Sequence, residues 1–194
     1  NRPVVVFRAP FLGVAPKDRV DAARERLRTL FSRGGEGKVS LVIGEIGVAV
    51  LVDSQLAFVV SEADARPVPG ATMRSVAEDA AKVLAQIELV RQGIHHIAAD
   101  GSFTLITGVL ARSPIVTGAA ASMAGGALES FVRAAAIEIA PQRINAISPT
   151  VFTEALDVYG DYFPGFPSVG LAEVGQAYVR SIEGKQTGQV YELD

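Results

Sequence analysis

The sequence predicts an α/β fold, with a parallel sheet in the second half and an α+β segment in front of it. Three observations predict this. Residues 38–61 hold three short runs rich in β-branched residues, separated by joins of turn length, as antiparallel strands require. From residue 101 onward, short apolar runs alternate with amphipathic stretches, as strand–helix–strand crossovers require. Between the two patterns stands Pro67-Val68-Pro69-Gly70, a chain of turn formers that marks a boundary.

The elements follow in order. Pro3 to Phe7 reads as a strand, because β-branched residues fit a pleated, half-buried surface. Pro16 opens a helix at a position that needs no amide donor, and Gly34-Gly35 stops it. Val20, Ala23, Leu27, Leu30 and Phe31 share its apolar face, while Asp18, Arg19, Asp21, Arg24, Glu25, Arg26 and Arg28 read as its solvated side. Strands are expected at 38–43, 47–52 and 56–61, with Gly44-Glu45-Ile46 and Asp53-Ser54-Gln55 as turns. Ser75-Val76-Ala77-Glu78 matches a capping box, so a long helix is expected from Ser75 to Ile97. Asp100-Gly101 turns the chain into a strand at 103–107, and a helix follows from about Ser122 to Ala140, stopped by Pro141. Ile144–Ile147 reads as a strand, 150–170 as a loop, Leu171–Ser181 as a helix and 189–192 as a last strand.

Composition narrows the functions. An apolar content of 49% in 194 residues supports a real core and excludes a disordered chain. The absence of cysteine excludes disulfides, thiolate metal sites and cysteine nucleophiles. A net charge of −3 gives no sign of nucleic-acid binding. No run reaches the length of a membrane span and no signal-peptide pattern opens the chain, so a cytoplasmic protein is expected. His95-His96 are adjacent, so on a helix they point apart and cannot chelate one ion.

From about Ala85 to the end, the chain resembles the short-chain dehydrogenase/reductase family, in a compact, atypical branch. The resemblance rests on four linked segments in order: Gly101–Gly108, Leu128–Pro141, Arg143–Pro149 and Thr187–Tyr191. It implies a partial Rossmann-like parallel sheet, a nicotinamide dinucleotide cofactor (NADP or NAD), a small apolar carbonyl substrate and a homo-oligomer. In that family a tyrosine and a lysine lie four residues apart on one helix face, and the lysine charge lowers the tyrosine's pKa for proton transfer. Counted from the matched helix, those positions hold Ala121 and Gly125, and the family serine falls on Gly108. The resemblance therefore implies an active site without its proton-transfer pair. Thr107 and Ser122 remain as candidates for a relocated group, or else as ordinary small residues at element ends.

The resemblance places Pro149, Thr150, Phe152 and Thr153, with Thr107, beside the cofactor's nicotinamide, though Thr150 replaces the usual glycine. The family's diphosphate-binding turn has one candidate, Leu41-Val42-Ile43-Gly44-Glu45-Ile46-Gly47, which reads as a strand, a turn and another strand where a helix is required. Gly34-Gly35-Glu36-Gly37 follows a helix rather than a strand. Tyr159, Tyr162, Phe163 and Phe166 occupy the place of the family's substrate lid, and read either as a lid or as a core cover.

Residues 1 to about 85 resemble instead the extramembrane N-terminal domain of bacterial small-conductance mechanosensitive channel proteins. Phe7-Arg8, Asp18-Arg19 through Leu30, and Leu56 through Ala65 carry that resemblance, which implies a small module without chemistry of its own. The expected organisation is an α+β segment over 1–66 and a dehydrogenase-like region over 67–194, with a join between the two resemblances at 84–90. The functions expected are an atypical dehydrogenase/reductase-like protein with a degenerate site, or a non-catalytic binding or self-association module.

Overall fold

The computed structural model describes residues 4–66 and 70–194. Pro3 of the expected first strand, and 67–69 of the expected boundary, lie outside them. The chain forms two compact units that divide between Gln92 and Gly93.

In the first unit, α1 (Pro16–Arg33) begins on its proline and ends where Gly34 takes a φ of 71°, which glycine adopts without strain. Three antiparallel strands follow, β1 (Val39–Ile43), β2 (Val48–Val52) and β3 (Gln55–Val60), in the order β1-β2-β3. Asp53 and Ser54, with φ of 50° and 63°, make a two-residue turn whose twist suits the hairpin. Val48, Val50 and Val52 alternate inward, as a strand with one buried face demands. A short helix α2 (Glu62–Ala65) and a long one, α3 (Met73–Gly93), complete the unit, and α3 buries Val76, Ala77, Ala80, Val83, Leu84 and Val90.

Four expectations are corrected in this unit and at its end. Residues 4–7 are not a strand: the Arg8 amide donates to Asp64 Oδ1 at 2.8 Å, and Phe7 packs edge-on to Phe58, so tertiary contacts replace a ladder. Arg19 is not solvated but 8% exposed. Its guanidinium makes two bonds to Asp64, at 3.0 and 2.6 Å, donates to the carbonyls of Ala9 and Val59, and lies over the Phe7 ring. The start of α3 is capped by Thr72, not Ser75: each donates its backbone amide to the other's hydroxyl, while Glu78 pairs with Arg74. Finally, α3 ends at Gly93 rather than Ile97: the His96 and Ile97 amides both turn back onto the Gly93 carbonyl, and the Ile94 and Ile97 carbonyls are taken by the Gln142 amide.

The second unit contains, in chain order, β4 (Ser102–Ile106), α4 (Ala119–Glu138), β5 (Arg143–Pro149), β6 (Val151–Phe152), α5 (Leu156–Tyr159), β7 (Ser168–Val169), α6 (Leu171–Glu183) and β8 (Val190–Leu193). Strands β4, β5 and β8 form a parallel sheet in that order, with helical crossovers between them, which is the Rossmann-like arrangement expected. The segment 150–170, expected as loop, also carries the two-residue parallel pair β6–β7. Arg143 caps the end of α6 by donating to the Ser181 and Ile182 carbonyls, and the Glu154 carboxylate accepts the Leu171 amide at its start.

Burial pushes the Asp64 carboxyl up, but hydrogen bonds from Arg19, from the Ser61 amide and hydroxyl, and from the Arg8 amide outweigh it and hold the group below its ordinary value. A carboxyl lowered in the folded state supplies stability above its unfolded pKa, about 3.9, and loses it as pH falls through the folded value. Asp64→Asn is expected to cost about 3–5 kcal/mol at pH 7, because it strands the buried Arg19 charge. In urea titrations the gap from wild type should narrow once the pH drops below about 4.

Candidate functional site

The carboxyl ends of β4 and β5 lie side by side, the place where ligands bind in open parallel sheets. Ile106 pairs with Ile147, and the Thr107 amide extends the ladder to the Ile147 carbonyl at 2.9 Å. Gly108 follows in extended conformation, and a Cβ there would meet only the Pro149 carbonyl oxygen, at 3.6 Å. Thr107 and Gly108 are thus brought beside Pro149, while the residues that follow it find their partners elsewhere.

The hydroxyls at this edge are already committed. Thr107 Oγ1 donates toward Glu129 Oε1 at 3.2 Å, with the Ile147 carbonyl at 3.4 Å. Thr150 is buried, its Oγ1 donating to the Pro167 carbonyl and its amide to the Leu193 carbonyl. Thr153 Oγ1 donates to Ser168 Oγ at 3.0 Å, on the exposed side of the β6–β7 pair. Phe152 packs against the cluster of Ile147, Val169, Val174, Ala177 and Tyr191.

Ala121, Ser122 and Gly125 lie in the first turns of α4. Ala121 is exposed. Gly125 is buried, and a Cβ on it would stand 3.2 Å from the Ala111 Cβ, in the single helical turn Val109–Ala111. Ser122 Oγ donates back to the Gly118 carbonyl of its own helix at 3.0 Å. Of the two relocated candidates, then, only Thr107 has a carboxylate partner.

That carboxylate belongs to a network of which the sequence reading singled out only Thr107. Glu129 Oε1 accepts from Thr107 and from Ser148 Oγ, both at 3.2 Å. Arg112 Nη1 donates to Ser148 Oγ at 2.8 Å, while its other nitrogens pair with Asp194 and lie 3.8 Å from Glu192. The ends of all three parallel strands are therefore joined by charge-assisted bonds through Arg112 and Glu129. The one available signal was Glu129 itself, an acid set between Leu128 and Val132 of the apolar face.

The glycine turns are also in use. Gly44 donates its amide to the Gly47 carbonyl within the β1–β2 hairpin, and a Cβ at Gly47 would collide with Val59. The amides of Gly37 and Lys38 donate to the Asp53 carboxylate. In the expected lid, Phe163 and Phe166 pack edge to face at 5.5 Å, and Tyr159 and Tyr162 are exposed. No helix among the described residues is long and apolar enough to cross a membrane.

Against known proteins, residues 1–92 match a family model described as Domain of unknown function (DUF8459). The channel resemblance of this part finds no support among the comparisons. No curated protein matches the chain. Among solved structures, the protein lin1944 from Listeria innocua is 41% identical, with a TM-score of 0.61, covering 64% of this chain and 63% of that one. A small-chain dehydrogenase in complex with NADPH is 26% identical, with a TM-score of 0.55, covering 63% and 62%. The enoyl-[acyl-carrier-protein] reductase (NADH) from Aquifex aeolicus VF5 is 23% identical, with a TM-score of 0.53, covering 64% and 52%. The chain spans less than two thirds of the length of each of these. The fold of the second part is that of the short-chain dehydrogenases and reductases.

These surroundings separate two substitutions. Gly108→Ser has extended backbone and room for a Cβ, and is expected to change stability by no more than about 0.5 kcal/mol. Gly125→Lys drives a side chain into Ala111, and is expected to destabilise by about 1–3 kcal/mol. Urea unfolding of the two variants checks the contrast.

Proposed function

We propose that the second part is a dehydrogenase/reductase-like module with a degenerate active site, which binds NADP(H) or NAD(H) weakly at the carboxyl edge of β4 and β5 and does not turn over. The observation that carries this is the trio Gly108, Ala121 and Gly125, which offers no proton donor where the resemblance implies serine, tyrosine and lysine. A bound nicotinamide would supply hydride for a carbonyl substrate. The alkoxide so formed needs a proton, and the nearby hydroxyls of Thr107 and Ser122 are held by Glu129 and by the Gly118 carbonyl, without a lysine to acidify either.

The resemblance sets the nicotinamide beside Thr107, Pro149, Thr150, Phe152 and Thr153. The amides of Thr107 and Thr150 and the hydroxyls of Thr150 and Thr153 already have protein partners, which supports weak rather than tight binding there. For the diphosphate, neither glycine turn has the strand-to-helix setting required: one is a tight hairpin, and the other follows a helix and donates its Gly37 amide to Asp53. The dehydrogenase neighbour solved with NADPH supports the dinucleotide, and the missing half of the cradle supports weak affinity. A small apolar carbonyl compound is the matching substrate class. The first part, joined to the second within 84–90 of α3, supplies no chemistry in this proposal.

Self-association is a second reading: the resemblance implies a homo-oligomer, and Ile137 on α4 is an exposed apolar side chain on which to test it. Light scattering is expected to give a dimer that Ile137→Asp converts to monomer. A monomeric wild type contradicts this second reading.

NADPH at ten times its dissociation constant adds about 1.4 kcal/mol, which raises the melting temperature by about 3–6 °C in a chain of this size. Such a shift is expected at millimolar NADPH, with no loss of NADPH absorbance when aliphatic or aromatic ketones are added. Absence of a shift removes the cofactor, and steady ketone reduction removes the degenerate site.

A further inference from the structure

We infer that the first unit carries a binding pocket for a small monocarboxylate with an apolar body. The pocket has a volume of about 260 Å³ and lies between α1, β3 and the turn at Phe11–Val14. Phe7, Phe11, Phe58 and Val59 wall it. Leu12, Val14 and Leu56, exposed by 76%, 44% and 39%, form an apolar rim of a kind that folding alone does not require.

Two cations line this pocket, and their states differ. Arg19 is spent: its charge is matched by Asp64, and its guanidinium stacks on Phe7 and Phe11 as part of the wall. Arg26 is different. Lys17, Arg24 and Arg28 on α1 have acids one turn away, in Lys17–Asp21, Arg24–Asp21 and Arg28–Glu25, and Arg33 at its end reaches the Gln55 amide oxygen. The positions one turn from Arg26 hold Ala22, Ala23, Thr29 and Leu30, so its helix offers it no carboxylate. Arg26 lines the pocket from an exposed position, with no ion pair among the described residues. An apolar cavity with one uncompensated guanidinium at its mouth is complementary to a chain or ring ending in a carboxylate.

Calorimetric titration of the full chain with sodium octanoate tests this, with octan-1-ol as the uncharged counterpart. Octanoate is expected to bind one per chain. Arg26→Gln, an exposed change that leaves the fold intact, should weaken octanoate about tenfold, the loss of one charge-assisted contact, and leave octan-1-ol unchanged. Leu12→Asp, at the exposed rim, should weaken both ligands. No octanoate binding, or equal binding by wild type and Arg26→Gln, overturns the inference. So does a dimer in light scattering that Leu12→Asp dissociates while octanoate has no effect, since a second copy of the chain then fills the pocket.

Discussion

Asn145 stands in β5, the middle strand of three, without contact with solvent. A buried amide must satisfy both ends, and this one does so by tying elements together. Its nitrogen donates to Ser181 Oγ on α6 at 3.3 Å and to the Gln186 carbonyl at 3.1 Å, and its oxygen accepts the Gln189 amide at 3.0 Å as the chain enters β8. Ser181 Oγ is in turn 2.7 Å from Thr104 Oγ1 on β4. One side chain thus links all three strands and the last crossover helix. Shifting β5 by one residue would turn Asn145 to the other face of the sheet and orphan every one of these groups. The parallel register that sets the strand ends beside one another, and with them the candidate site, depends on this contact.

What the structure shows at those ends is a closed polar network. Thr107, Glu129, Ser148 and Arg112 satisfy one another, and Arg112 reaches on to Asp194. Networks of this kind rigidify and specify a fold when every member is paired. The first unit uses the same device, with Arg19 and Asp64 holding α1 to α2 and to the segment before α1. In both places paired charge, buried in the first unit and partly exposed in the second, ties elements together. The α4 positions to which the resemblance assigns the proton-transfer pair hold an alanine and a glycine, with Ala111 packed against the latter.

Much of the fold was legible because its signals are local. Pro16 and Gly34 bracket α1, the three antiparallel strands fall within a residue or so of their expected bounds, and alternation in the second half announces the parallel sheet. The failures share a cause: a distant partner outweighs a local preference. Val4–Phe7 has strand composition, but Asp64 takes the Arg8 amide. Arg19 looked like its charged neighbours, yet it lies four residues before Ala23 and shares that buried face. Ser75 does take part in a capping exchange, with Thr72 rather than Glu78. The pair β6–β7 is too short for any periodicity to show. At the site, Gly108, Ala121 and Gly125 are the positions that the resemblance assigns by counting along the chain. The Arg112–Glu129 network was not legible in the sequence, since its members come from four separate stretches that only the folded sheet brings together.

Hydrogen exchange of the full chain with and without NADPH is the most direct test of where a dinucleotide meets this protein. Slowed exchange in peptides spanning 106–108 and 149–153, with residues 34–37 and 44–47 unchanged, is the predicted result. Protection centred on either glycine turn, with none at the ends of β4 and β5, would contradict it.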